Sequence, residues 1–158
     1  MSVTQAQGFT AAGVTAGLKS SGAKDLSLIV NTGLKAASAA VFTTNKFAAA
    51  PVIWSRQIRL GGDARVVVLN SGGANACTGP AGFADTHATA ELVAAGLTAR
   101  KPGEFGAGEV FVCSTGLIGE RLDMAALGKG IDLAISRLAP TGGVDAADAI
   151  MTTDTQRK

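Results

Sequence analysis

The run Arg65-Val66-Val67-Val68-Leu69-Asn70 leads without a break into Ser71-Gly72-Gly73-Ala74-Asn75-Ala76-Cys77-Thr78-Gly79. Three valines and a leucine in succession read as a strand buried on both faces. The segment after it is small, polar and glycine-rich, which reads as a loop at the strand's end. A helix then follows over residues 82–95, with Phe83, Ala90, Leu92, Val93 and Leu97 as its apolar positions. The same grammar recurs downstream: Val110-Phe111-Val112-Cys113 reads as a buried strand that runs into Ser114-Thr115-Gly116-Leu117-Ile118-Gly119. Twice, then, a rigid strand delivers a flexible, hydroxyl-bearing turn, and catalytic loops are commonly carried this way.

Outward from these two units the alternation continues. Leu26-Ser27-Leu28-Ile29-Val30 is a short apolar run ended by Asn31-Thr32-Gly33, and Ala39-Ala40-Val41-Phe42-Thr43 reads as a further strand. A helix is expected over residues 50–58, where Pro51 suits the first turn and Gly61-Gly62-Asp63 ends it. Residues 124–138 read as another helix, stopped by Pro140-Thr141-Gly142-Gly143, and a last one covers residues 144–150. Strands alternating with helices predict a layered α/β or α+β domain.

Composition narrows the class. The chain has 158 residues, about one domain of the commonest size, and its hydrophobic fraction of 47% excludes an intrinsically disordered chain. Fourteen Lys and Arg against twelve Asp and Glu leave a net charge of +2, with only Arg100–Lys101 and Arg157–Lys158 side by side. That excludes a strongly electrostatic nucleic-acid binder. Glycine occurs 21 times and aromatic residues are only 4%, so the core must come from Ala, Val, Leu and Ile. The start, Met1-Ser2-Val3-Thr4-Gln5, lacks the charged and apolar regions of a signal peptide. No span is apolar enough to cross a membrane. With Cys77 and Cys113 as the sole cysteines, the expectation is a cytoplasmic protein with both thiols reduced.

Several local patterns bear on chemistry. In Ser114 to Gly119, Gly116 lets the backbone turn, and successive N–H groups beside the Thr115 hydroxyl suit a developing oxyanion. The competing reading is a plain turn with Thr115 as a helix cap. The Asn70–Gly79 loop has neither the Walker nor the dinucleotide spacing. It reads better as a site wall, or a turn that lets backbones approach, than as the phosphate cradle of a non-catalytic nucleotide-binding domain. Cys77 and His87 are the available thiol–imidazole pair. His87, among Asp85, Thr86, Ala88 and Thr89, reads as part of an exposed helical face, which disfavours Cys–His catalysis. Cys113 in its apolar strand reads as a small buried hydrophobe. One histidine and two distant cysteines make no zinc site, and no other cofactor is indicated. Asp148, Thr152 and Asp154 flank the end of the last helix, where Met151-Thr152-Thr153-Asp154-Thr155 can bind a polar head group, cap the helix or pair as a strand edge.

Taken in order, these blocks resemble one family over residues 8–155. They are Gly8-Phe9 with Gly13, Gly17 and Lys19; Val41-Phe42-Thr43-Thr44-Asn45 with Ala50-Pro51-Val52; the loop Asn70–Gly79; Ser114–Gly119; and Thr152-Thr153-Asp154-Thr155. The family is that of the ornithine acetyltransferases of arginine biosynthesis, also called glutamate N-acetyltransferases (the ArgJ family). The resemblance implies a precursor that cuts itself before an internal threonine. The new N-terminal threonine of the β chain takes acetyl from N-acetylornithine and passes it to glutamate. Some members also accept acetyl-CoA. It implies an α/β layered sandwich of the DmpA/ArgJ-like type, completed by the separate β chain, in an α2β2 particle; the residues themselves give the expectation of no metal, nucleic acid or membrane. On this resemblance residues 1–158 are a single-domain α portion, Thr115 and Gly116 match the oxyanion-hole pair, and Thr152 matches a substrate-binding position. Many relatives carry Asn where Gly73 stands. The lysine-containing segment and Ala-Thr cleavage point of the family do not occur before Lys158, so this chain is expected to hold no nucleophile and to be inactive alone. The alternative is a related N-terminal-nucleophile amidohydrolase or aminopeptidase, which hands the acyl group to water.

Overall fold

The computed structural model describes residues 2–100 and 105–157. Lys101 and Lys158, the second members of the two basic doublets, lie outside them. One four-stranded sheet organises the chain, in the order β1 (Phe9–Val14), β2 (Leu26–Asn31), β3 (Val66–Asn70), β4 (Val110–Ser114). The first two pairings are antiparallel and β3–β4 is parallel. The helices are α1 (Ala50–Ile58), α2 (Gly79–Thr98), α3 (Met124–Ser136) and α4 (Gly143–Ala149). The expected α/β layering is therefore present.

Strand alternation sorts the side chains into two faces. Ala12, Val14, Leu26, Leu28, Val30, Val66, Val68, Val110 and Val112 form one buried face. It is closed by Ala90, Val93, Ala94 and Leu97 of α2 and by Leu127, Ile131, Ala134 and Ile135 of α3. On the other face α4 lies over β1 and β2, while Val67, Leu69, Phe111 and Cys113 stay half-buried. The run at Val66 is thus fully buried on one face and not on both. Nothing among the described residues covers the second face of β3 and β4 as α2 and α3 cover the first.

Strand β1 has no counterpart in the sequence reading. Its Thr-Ala-Ala-Gly composition is a poor β pattern, and it is held by pairing with β2 and by α4. A Cβ on Gly13 would stand 1.8 Å from the Asp145 carbonyl oxygen, so only glycine lets that helix approach. Residues 39–43, expected as a strand, belong to no ladder of the sheet. They alternate inward and outward as a strand would, with Phe42 half-buried and Val41 exposed, but among the described residues no neighbouring strand pairs with them. Helix α1 occupies the open edge of β4 instead. Trp54 Nε1 donates to the Val110 carbonyl at 3.0 Å, and Ser55 Oγ both donates to the Val112 carbonyl and accepts its N–H. An edge that would otherwise recruit another strand is so closed by side chains.

Candidate functional site

The parallel pair β3–β4 brings its two carboxyl-end turns together, since Asn70 is registered against Ser114. Ligands of α/β folds gather at such ends. Asn70, 3% exposed, is a hub there. Its Nδ2 donates to Ser114 Oγ at 2.6 Å, its Oδ1 accepts the N–H groups of Gly72 and Gly73 at 3.3 Å each, and its main-chain carbonyl accepts the Thr115 N–H at 3.0 Å.

The chain then leaves the sheet through Thr115 and Gly116. Gly116 has φ +132°, and a Cβ there would meet Gly73 N at 2.9 Å and Gly72 C at 3.0 Å. The two turns therefore lie backbone on backbone, tied further by Ala74 N–H to the Leu117 carbonyl (2.8 Å) and Gly119 N–H to the Ala76 carbonyl (2.9 Å). Close backbone approach is what the loop's small residues serve, in line with the reading of a turn that lets backbones approach. The Thr115 N–H is spent on the Asn70 carbonyl. The Thr115 hydroxyl and the Gly116 N–H have no hydrogen-bond partner among the described residues. Thr115 is not a helix cap: α3 begins beyond it, capped by Asp123 Oδ1, which accepts from Ala125 and Ala126 N–H at 3.0 Å each. The segment between is clamped to α2 by Arg121, whose guanidinium forks onto the buried Asp85 carboxylate at 2.8 and 2.6 Å. Asp85, Thr86 and Thr89 are buried, which corrects the reading of that stretch as an exposed face; of the group, His87 and Ala88 are exposed.

Thr152 reaches the same end of the molecule by a second route. The carboxylate of Asp25, fully buried, accepts the N–H groups of Ala16, Leu18 and Lys19 at 2.6, 2.6 and 2.9 Å. This fixes the β1–β2 loop. Leu18 packs on Gly72, where a Cβ would stand 2.3 Å from Leu18 Cβ, and Lys19 Nζ donates to the Met151 carbonyl at 2.5 Å. Ser71 Oγ donates to the Ala149 carbonyl at 2.6 Å. Thr152, exposed, thus follows α4 into a cleft of about 390 Å³ that it lines with Lys19, Lys24, Asp148 and Asp154. The guanidinium of Arg157, bonded to Asp148, holds that carboxyl below the ordinary range. Thr152 and Thr115 share no hydrogen bond among the described residues; the Gly72–Gly73 loop stands between their supports. Sequence reasoning passed over Asp25 and gave Asn70 no role of its own. Their signal was only an Asp before one apolar strand and an Asn after another.

The cysteine hypotheses find no support. Both cysteines are free. Cys77 is exposed with φ +59°, while His87 faces Trp54 (centroids 5.0 Å) and Glu91 (Nε2 to Oε1 3.2 Å). Cys113 is half-buried, and that burial pushes its thiol up. Among the described residues no group of three or more His, Cys, Asp or Glu is placed to hold a metal ion, and no helix is long and apolar enough to cross a membrane.

Comparison with known proteins places this architecture. The chain is 58% identical, along its whole length, to the arginine biosynthesis bifunctional protein ArgJ of Streptomyces coelicolor, of which it spans 40%. It is 58% identical over 96% of its length to the protein of that name from Mycobacterium tuberculosis, of which it spans 38%. The chain thus spans about two fifths of the length of the curated relatives it matches. The crystal structure of ornithine acetyltransferase complexed with ornithine, from M. tuberculosis, superposes with a TM-score of 0.96 at 57% identity, covering 98% of this chain and 81% of that one. The ArgJ protein of Bacillus halodurans follows with a TM-score of 0.87 at 36% identity, covering 99% and 78%. The model of the ArgJ family matches residues 10–158, and the chain belongs to that family.

Proposed function

We propose that this chain is the α portion, one domain, of an ornithine acetyltransferase that moves acetyl from N-acetylornithine to glutamate in arginine biosynthesis. The observation that carries the reading is the paired hydroxyl and N–H of Thr115 and Gly116, unengaged at the end of a parallel strand pair, in a chain of the ArgJ family. In the first half-reaction the hydroxyl of a β-chain N-terminal threonine attacks the amide carbonyl, and its proton passes to that residue's own amino group. The carbonyl oxygen becomes an oxyanion, which Thr115 Oγ and Gly116 N–H hold. The C–N bond then breaks and ornithine leaves with the proton. Glutamate's amine then attacks the resulting acetyl ester through the same oxyanion, the ester C–O bond breaks, the threonine hydroxyl is regenerated with the proton the amine gives up, and N-acetylglutamate leaves. Only donors aimed at charge that develops in the transition state accelerate the step.

The cleft beside Thr152 supports an amino-acid substrate, because lysines and carboxylates together suit a small zwitterion. Acetyl-CoA as a second donor, the α2β2 assembly and a cytoplasmic location belong to the same reading. Mass spectrometry of the complete gene product tests it. Two chains are expected, with one acetyl group added by N-acetylornithine to the threonine-started companion alone. In that protein Thr115→Ala should lower kcat by about 10²–10³-fold. Free acetate in place of acetylglutamate would identify an amidohydrolase. An uncut chain that takes up no acetyl would sink the acetyltransferase.

A further inference from the structure

The oxyanion reading leaves open what holds Thr115 and Gly116 in place. Neither residue is anchored by its own side chain. Gly116 has none, and Thr115 Oγ has no partner among the described residues. Yet Gly116 sits at φ +132°, and a donor misplaced by about 1 Å can cost about 10²-fold in rate. Whatever fixes this turn must act through neighbours.

We infer that the side-chain amide of Asn70 is the positioning residue of the Thr115–Gly116 turn, acting through Ser114 on one side and the Gly72–Gly73 peptide on the other. Its Nδ2 reaches Ser114 Oγ at 2.6 Å, immediately before Thr115. Its Oδ1 gathers the N–H groups of Gly72 and Gly73, the two residues on which Gly116 rests. Its own carbonyl takes the Thr115 N–H. One residue thus fixes the entrance to the turn, its amide plane and its floor. The chemistry singles out an amide. A carboxylate would accept the two N–H groups but place a negative charge beside the developing oxyanion. A hydroxyl could not reach both loops, and leucine would leave two amides and a hydroxyl without their partner. Burial makes the geometry hold, since little water reaches the cluster to substitute for a missing bond.

This inference rests on the acetyltransferase reading, and the test separates the two. In the complete, self-cleaved protein, Asn70→Ala is expected to lower kcat for acetyl transfer by about 10- to 100-fold, with KM for N-acetylornithine changed less than about twofold. Ser114→Ala, which removes only the first contact, should lower kcat by a smaller factor in the same sense. Ser55→Ala is the control, since it removes hydrogen bonds at the far edge of β4 and is expected to lower the melting temperature without lowering kcat. If Asn70→Ala yields no folded protein, Ser114→Ala decides: a fall in kcat at constant KM supports the assignment and an unchanged kcat overturns it. An unchanged kcat in Asn70→Ala overturns it while leaving the acetyltransferase intact. So does a loss that Ser55→Ala reproduces at equal melting temperature. A native protein that transfers no acetyl group overturns both.

Discussion

At the residue scale, the fold depends on atoms that are missing as much as on atoms present. Gly116, Gly72 and Gly13 each mark a place where one stretch of backbone lies against another. At Gly13 the conflict is with main-chain atoms of α4: an added Cβ would lie 1.8 Å from Asp145 O and 2.7 Å from Ala146 N. No rotamer change relieves such a clash, so α4 itself must shift. Gly13→Ala is therefore expected to destabilise the fold by about 3 kcal/mol, the upper part of the range for overpacking. Thermal melts followed by circular dichroism would read this, and a change under 1 kcal/mol would mean that α4 moves freely over β1. Asn70 and Asp25 are the complementary case. Each is buried and polar, and each is hydrogen-bonded, Asp25 by backbone amides and Asn70 by two backbone amides and the Ser114 hydroxyl, the condition under which burial of a polar group is tolerated.

At the element scale, α1 is an edge cover rather than a face cover. It meets β4 through the Ser55 hydroxyl and the Trp54 indole, both aimed at main-chain groups of the strand. Ser55→Ala leaves one N–H and one carbonyl of Val112 without those partners. The expected cost is about 2 kcal/mol, from the desolvation of unsatisfied groups, visible as a lower denaturant midpoint at unchanged slope. A midpoint equal to the unaltered protein would show that water replaces the hydroxyl. The sequence announced this helix well, through Pro51 in its first turn and its glycine-rich stop. It could not announce the docking, because a serine in a helix has no distinctive pattern. For the same reason residues 39–43 looked like a strand: alternation was visible, while the place beside β4 belongs to α1.

At the scale of the whole molecule, apolar surface is left over. Leu34 and Val41 are fully exposed and Phe47 nearly so, on one extended segment. Beside it runs a groove of about 330 Å³ lined by Val41, Phe42, Val52, Val67, Phe111 and Cys113. Contiguous apolar surface of this kind normally meets a partner. The chain spans 40% of its relative, so the remaining part of the protein is the expected cover. Residues 1–158 produced alone should bind a hydrophobic dye such as anilinonaphthalene sulfonate. Production together with the remaining part should suppress that signal. Equal dye binding in both preparations would place the cover elsewhere.

The sequence by itself determined the strands β2, β3 and β4, the four helices to within a few residues, and the two turns that matter, because burial and turn chemistry are local properties with periods of two and 3.6. It also carried the family, through five blocks in fixed order. The tertiary structure alone decided that Asn70 and Ser114 are neighbours, that the Thr115 amide is consumed while its hydroxyl is left unengaged, and that β1 exists at all. Each of those depends on register between segments far apart in the chain, and register is set by packing and pairing rather than by the residues of either segment alone.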